Sequence, residues 1–476
     1  MALLTLLQAP SDQFLNPQPS MATQSAPLVS LQAPKDVSLN QIEAELAQIW
    51  QIYSTTDGGN ATYSGAMRAA TFTLVVYEPE ETQQLLAALG FYRGPVDGIL
   101  GPQTEAAIRA AQTTYKLPVD GTSSPELLQK LQQALAERQS SRIDQNGNPQ
   151  PPSSTMATGL ADAIASQNPC RIISLFPLAS PDEGITAQVS AYCPIQKGSH
   201  NTLICCEYIM LKGAEAALER GSGLVNSLLI ADLPRLLWWK AAPDPSSDLF
   251  KNLLPSFNCT IFDSSCFTQP LSELLHLQEL IEQGHNIADL NWRRLAAWQE
   301  LAAEAFDPPE RRASIKEVDR VTLDYEEGNP AQALMFLGWL ASRLNWQPVA
   351  FHKEGGMYNI YRIHFTAADQ RPVEAELAAI PTAAKGQIAG DLIDMKLAST
   401  NLEADCCTII CSETKGCMRM EAGGGAQSCL TYQVSPLAEQ RSEVLLSQEL
   451  QRWGRDILFE ESLSMTAQIL RLLDDQ

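Results

Sequence analysis

Apolar positions recur with two periods along the chain, and the periods separate helices from strands. Leu39, Ile42, Leu46, Ile49, Trp50 and Tyr53 fall at helical spacing behind Ser38-Leu39-Asn40-Gln41, which predicts an amphipathic helix opened by a capping box. Thr71 to Tyr77 is β-branched and aromatic and reads as a strand. From Glu80 to Leu135 the pattern turns helical three times. Gly90 stops the first helix, turns through Gly94, Asp97-Gly98 and Gly101-Pro102 lead into a second ending at Tyr115, and Ser124-Pro125-Glu126 opens a third. Thr158 to Gln167 is helical again. Strand patterns follow at Asn168 to Phe176, Ile185 to Tyr192, Leu203 to Leu211 and Pro234 to Lys240, with a helix over Ala214 to Leu228. Strands alternating with helices predict an α/β layer domain. Trp238 and Trp239 are neighbours on a strand, so they must point to opposite faces.

Leu290, Leu295 and Trp298 continue at helical spacing among Asp289, Asn291, Arg293 and Arg294. Beyond Glu310 the pattern changes. Val321 to Tyr325 reads as a strand and Pro330 opens a strong helix to Trp346. Strand-like runs then follow at Gln347 to His352, Tyr358 to Phe365, Val373 to Ala379, Asp391 to Lys396, Cys406 to Cys411 and Cys429 to Val434. The short polar turns between them predict an antiparallel meander. Amphipathic helices over Ser442 to Trp453 and Glu460 to Leu473 close the chain. The fold class is therefore multidomain α/β and α+β. An N-terminal α/β layer domain is interrupted by a small three-helix module, and a C-terminal antiparallel sheet carries flanking helices.

Composition sets the boundaries. Residues 1–35 are rich in Pro, Gln and Ser, repeat Leu-Gln-Ala-Pro at Leu7 and Leu31, and read as a disordered arm in which Met21 is a second candidate start. The α/β domain takes 36–79 and 156–308, the three-helix module 80–136, a flexible linker 137–155, and the C-terminal domain 309–476. The module is thus inserted into a strand-to-helix connection.

Charge and chemistry narrow the function. The chain of 476 residues is 45% hydrophobic and 18% charged, as expected of a globular protein. A net charge of -22 argues against nucleic acid, which needs clustered Lys and Arg, and suits steering of a basic partner. No apolar stretch is long enough to span a bilayer, and no Lys or Arg precedes Lys35 to make a signal peptide. The expected location is cytoplasmic, with no membrane partner. The histidines His200, His276, His285, His352 and His364 form no metal or catalytic motif, and no phosphate-binding or nucleophile-elbow motif occurs. Gly423-Gly424-Gly425 reads as a plain loop. The sequence argues for a non-enzyme with no cofactor and no metal.

The cysteines are the remaining chemistry. Eleven occur, with adjacent pairs at Cys205-Cys206 and Cys406-Cys407, a usage that fits a reducing compartment if they are thiols. Cys406, Cys407, Cys411, Cys417 and Cys429 crowd one segment without the paired spacing of a zinc site. They read either as buried apolar thiols or as a redox switch over Cys406, Cys407, Cys411 and Cys417, with a thioredoxin as its partner. Cys411 and Cys417 flank a polar turn that a pair could bridge.

Two resemblances follow. Leu-Gly-Phe-Tyr from Leu89, then Gly-Pro-Val-Asp-Gly-Ile from Gly94 and Gly101-Pro102, resemble the peptidoglycan-binding-like three-helix domain, with Ala111 where that family carries phenylalanine. Asp232-Leu233-Pro234 with Leu237-Trp238-Trp239, then Asp263-Ser264-Ser265, then Asp289-Leu290-Asn291-Trp292 with Trp298 resemble the OpcA family of glucose-6-phosphate dehydrogenase assembly proteins. The departure is Ala296-Ala297, where that family carries Thr-Pro. The second resemblance implies a non-catalytic allosteric activator that binds glucose-6-phosphate dehydrogenase and promotes its active oligomer, controlling the oxidative pentose phosphate pathway and NADPH supply. Expected at or beneath the contact are Trp238, Trp239, Asp289, Asn291, Trp292, Arg293, Arg294 and Trp298, since Trp and Arg are favoured interface anchors; core placement is the competing expectation. The alternatives are a wall-associated binding protein led by the three-helix module and a thiol sensor acting on another partner.

Overall fold

The computed structural model describes residues 28–54, 66–68, 70–78, 81–92, 102–140, 169–178, 182–194, 203–309, 311–354, 359–382, 388, 390–401, 403–412, 417–424, 431–436, 442–452 and 454–474. Strands β1 (Leu28–Val37), β2 (Ala66–Arg68), β3 (Thr73–Tyr77), β4 (Arg171–Leu178), β5 (Thr186–Pro194), β6 (Leu203–Ala214), β7 (Arg235–Trp239), β8 (Cys259–Phe262) and β9 (Ile287–Asp289) form the first sheet. Its order is β1-β5-β6-β4-β3-β7-β8-β9, with β2 beside β6. From β6 to β9 every neighbouring pair is parallel. This is the strand order of the doubly wound dinucleotide fold, whose switch point falls here between β3 and β7.

Parallel strands covered on both faces read as unbroken apolar runs, and all of β3 is buried. Alternation then sorts the side chains. Val75, Ile173, Leu237 and Trp239 join Trp50 and Phe250 on one face, while Leu74, Ile172 and Trp238 join Leu445 and Leu446 on the other. The two tryptophans do point to opposite faces, and both are buried.

Several local expectations change. Residues 1–35 are not wholly a disordered arm, because β1 starts at Leu28 and pairs antiparallel with β5. A long-range edge pairing leaves no trace in composition. The capping box at Ser38 does not form: its hydroxyl bonds the Gln41 side chain at 2.5 Å, and a 3-10 turn over Leu39–Gln41 opens the helix instead. The helix expected over Ala214 to Leu228 breaks at Gly221 into Glu215–Arg220 and Ser222–Leu228. Similarly, Leu290–Arg294 and Ala296–Phe306 are separate helices, and the second begins at the departure noted above. The helix expected over Thr158 to Gln167 lies outside the described residues, as does the 137–155 linker beyond Ser140.

The three-helix module consists of Glu81–Leu89, Pro102–Thr114 and Pro125–Ser140. It has its own core of Leu86, Ile108, Ala111, Leu127 and Leu131. In chain order it follows the carboxyl end of β3, the place where a dinucleotide fold carries its phosphate-binding turn.

The second sheet contains β10 (Arg320–Glu326), β11 (Gln347–Glu354), β12 (Ile360–Thr366), β13 (Pro372–Ile380), β14 (Leu392–Ala398), β15 (Asp405–Ser412), β16 (Cys417–Gly424) and β17 (Thr431–Pro436). Its order, β11-β12-β13-β10-β14-β15-β16-β17, is not a plain meander. β10 enters between β13 and β14 and runs parallel to β13, the one parallel pair among otherwise antiparallel neighbours. Gly423 and Gly424 end β16 rather than forming a loop. One face of the sheet packs on helices Ala331–Leu344 and Ile457–Asp474. These helices touch so closely that a Cβ on Gly338 would meet the Ser462 carbonyl at 2.5 Å. Among the described residues no helix is long and apolar enough to cross a membrane.

A buried polar joint as candidate functional site

Strands β8 and β9 each end by delivering an acid into the protein interior. Asp263 and Asp289 are 5% and 1% exposed, so each must find every partner within the fold. Asp289 caps the helix Leu290–Arg294 by accepting from the Asn291 backbone N–H at 3.0 Å. It also accepts the Ser264 backbone N–H at 2.9 Å and the Ser264 hydroxyl at 2.6 Å. Asp263 takes both arms of the Arg294 guanidinium, at 2.7 and 2.8 Å, and the hydroxyls of Ser265 and Ser442 at 2.5 and 2.9 Å. Asn291 accepts from Gln332 at 2.8 Å, and Gln332 donates onward to Asp391 at 2.7 Å. Asn329 donates to the Ser264 carbonyl at 2.8 Å. The network therefore ties the edge of the first sheet to the second sheet's leading helix and to the helix Ser442–Glu449.

Next to it, the Arg293 guanidinium reaches Glu449 at 2.6 Å and Asp456 at 2.9 Å, and the Trp292 indole N–H donates to Asp456 at 3.2 Å. Five of the expected contact residues, Asp289 to Arg294 without Leu290, are thus brought together. Four of those five are buried, and Arg293 keeps 14% of its side chain exposed. Trp298 is core. Trp239 stacks on Tyr77 with ring centroids 3.8 Å apart, and Trp238 lies under the Lys240 ammonium at 4.2 Å. These side chains are packed inside the protein.

The electrostatics divide the two acids. Burial raises the Asp263 carboxyl, but Arg294 and the hydroxyl donors outweigh it and hold it below the ordinary carboxylate value. Burial and the neighbouring Asp263 charge push Asp289 up to about 6. Folding therefore takes up a proton at Asp289 between about pH 4 and pH 6, and its contribution to stability is lost as pH rises through that window. Relative to D289N, the wild-type protein should gain on the order of 2 kcal/mol of stability as pH falls from 7 to 4. Urea melts of both proteins at several pH values check this, and a pH-independent difference would contradict it.

Both carboxylates are enclosed and fully hydrogen-bonded, so the joint clamps segments together and offers no open acid or base. The switch point between β3 and β7 does not fit a dinucleotide either. Glu78 there pairs with buried Lys240 at 2.8 Å, and Glu78-Pro79-Glu80-Glu81 puts acids and no glycine where a pyrophosphate needs backbone N–H groups. Among the described residues no His, Cys, Asp or Glu cluster is arranged to hold a metal.

The cysteine segment lies on the β15–β16 hairpin. Cys407 is buried in the core, and burial pushes its thiol up to about 12, whereas Cys406 and Cys411 are half-buried. The register sets Ser412 opposite Cys417 and Met418 opposite Cys411, so the two cysteines are offset by one step. The Cys417 side chain and all of Cys429 lie outside the described residues. Not every cysteine is a thiol: Cys205 is disulfide-bonded.

Comparison with known proteins places this architecture. A "Putative OxPP cycle protein OpcA" from Nostoc punctiforme is 59% identical over 96% of this chain and 98% of its own length. The chain belongs to the OpcA family. OpcA proteins from Synechocystis sp. and Synechococcus elongatus are 53% and 52% identical, each over 94% of this chain and over 95% and 99% of their own lengths. The glucose-6-phosphate dehydrogenase subunit N-terminal domain matches residues 161–279 and the corresponding C-terminal domain residues 285–463. A "Putative peptidoglycan binding domain" matches residues 77–131, across the three-helix module. Among solved structures, a UDP-N-acetylglucosamine 3-dehydrogenase from Acidithiobacillus ferrooxidans is 12% identical, covering 54% of this chain and 86% of its own, with a TM-score of 0.31. That likeness is too distant to bear on the chemistry.

The joint spans the two OpcA matches, with Asp263 to Ser265 in the first and Asp289 to Arg294 in the second. Sequence reasoning named the second group as contact residues, quoted Asp263 only within the family motif, and gave no role to Asn329, Gln332, Asp391, Ser442 or Asp456. The signal for Asp263 was present: three polar residues directly behind an apolar strand need a buried or catalytic reason. For Ser442 and Gln332 nothing local marks the role.

Proposed function

We propose that the protein is a cytoplasmic, non-catalytic assembly factor and allosteric activator of glucose-6-phosphate dehydrogenase. It would promote the enzyme's active oligomer and so control entry into the oxidative pentose phosphate pathway and the supply of NADPH. The observation that carries this reading is family membership over nearly the whole chain, with both matched domains described as glucose-6-phosphate dehydrogenase subunit domains. An enclosed polar joint and a blocked switch point support a binding role over a catalytic one. An activator acts by binding its partner's active state more tightly than the inactive one, which requires a rigid surface. Trp238, Trp239, Asp289, Asn291, Trp292, Arg293, Arg294 and Trp298 supply that rigidity from within. Thiol control would act through Cys411 and Cys417 with a thioredoxin as reductant; the half-buried Cys411 and the buried, neutral Cys407 favour the hairpin tip over the strand interior.

The test is the rate of the matched dehydrogenase against glucose 6-phosphate, with and without this protein, under reducing and oxidising conditions. The expected result is a lower substrate requirement or a higher rate on addition, with an effect that depends on redox state and becomes redox-independent in C411S/C417S. No change in rate with folded protein would overturn the activator reading.

A further inference from the structure

The second sheet buries one face, and among the described residues no helix covers the other. The buried face carries Leu323, Ile363, Leu377, Met395, Ile409 and Met420 in the shared core, with the two long helices over part of it and the helix Ala296–Phe306 over β15 and β16. The intervening residues of β10 to β16 form a charged, half-exposed surface across seven strands. Strands about 4.8 Å apart and residues rising about 3.3 Å give this face on the order of 800 Å², the share of one partner in a standard protein–protein interface. Arg362 on it pairs within the sheet, reaching Glu354, Glu374 and Glu376 at 2.9, 3.0 and 2.9 Å.

A solvated face is an ordinary feature of an antiparallel sheet, so its charge pattern has to decide. Asp324 stands directly opposite Asp394, and like charges so placed weaken a sheet. Burial, then the charge of Glu376 on Asp324 and of Asp324 on Asp394, raises both carboxyls, although exposed Lys396, two residues along β14, offsets part of the effect at Asp394. Asp394 is in turn opposite Ile410, which is 42% exposed and faces Arg419 on the next strand. The centre of the face thus pairs facing carboxylates with an exposed aliphatic side chain. Lys396 offsets this repulsion only at Asp394, and a cation and an apolar group brought from outside would relieve the rest.

We propose that this open face, centred on Asp324, Asp394 and Ile410, is the docking surface for a basic patch of the dehydrogenase. The inference rests on the functional reading above. A second copy of this chain is a poor occupant, because it carries the same acid row and a net charge of -22. A partner presenting Lys or Arg around an apolar contact satisfies both features.

Binding of the full-length protein to the matched dehydrogenase, measured at low and high salt, tests this. D324K/D394K should weaken binding about ten-fold or more at low salt, with I410E showing a similar loss. E279K on the exposed side of helix Pro270–Glu282 changes charge elsewhere and should leave binding within about two-fold. D324N/D394N serves as the milder variant if the lysines disturb folding, and should still weaken binding while melting no lower than the wild type, since it removes the facing charges. Wild-type binding that both Asp324/Asp394 variants leave unchanged overturns this surface and spares the activator reading. A wild-type protein that neither binds nor stimulates the dehydrogenase overturns both. A self-associating wild type that D324K/D394K renders monomeric assigns the face to a second copy and overturns the proposal.

Discussion

Replacing Arg294 with methionine should destabilise the protein by about 3–5 kcal/mol, the cost of breaking a buried ion pair from one side. Arg294 is 1% exposed, and its guanidinium is the cation facing Asp263, with Asp289 nearby. Without it two carboxyls remain enclosed; Asp263 must take a proton or lose its place beneath Ser442. The N-terminal end of the helix Ser442–Glu449 then loses its tie to the joint, while the apolar contacts of Leu445 and Leu446 and the Arg293–Glu449 ion pair remain. The loss should therefore be largest in the C-terminal segment, read as faster proteolysis there as well as an earlier urea transition. A double-mutant cycle with D263N separates the pair from the site. If the two single changes add fully, the ion pair is not what holds the joint.

Trp239→Ala should cost a similar amount, about 3–5 kcal/mol, for a different reason. Its ring is 2% exposed, lies parallel to Tyr77 at 3.8 Å and tilts against Phe250 at 4.8 Å. Removing it opens a void between β7, β3 and the helix Asp248–Leu253, and close-packed neighbours refill such a void only partly. Phenylalanine should recover part of the loss, because it restores one ring of the stack. A thermal melt followed by near-ultraviolet circular dichroism checks both variants, and a drop below about 1 kcal/mol for alanine would show that the stack is dispensable.

The two tryptophans also show what a sequence can reveal. A strand of five residues forces Trp238 and Trp239 to opposite faces, and β-branched, aromatic β3 reads as buried from its composition alone. The module was legible because its turns need Gly, Asp and Pro at fixed places. Strand order was not. β10 enters the second sheet between β13 and β14 through pairings that depend on residues more than forty positions away, as in Arg320 opposite Glu374, and no local pattern encodes them. β1 was missed for the same reason. At the site, Asp289 and Arg294 stood out as charges on an apolar helix, but Arg294's partner lies at Asp263 on another strand, and only the fold shows that they meet.

The insertion of the three-helix module has a consequence for how the chain assembles. β3 and β4 are neighbours in the sheet, yet the chain must travel from Tyr77 to Arg171 between them. Each doubling of a flexible connection costs only about 0.6 kcal/mol in closure entropy, so the detour is thermodynamically minor. Its kinetic effect is larger. During synthesis β3, an unbroken apolar strand, leaves the ribosome well before β4 or β7 exists to pair with it. The module, with a separate core built from local contacts, can fold in that interval and keep a bulky, soluble body next to a sticky edge. In that role the three-helix module would serve as a built-in shield for a nascent sheet.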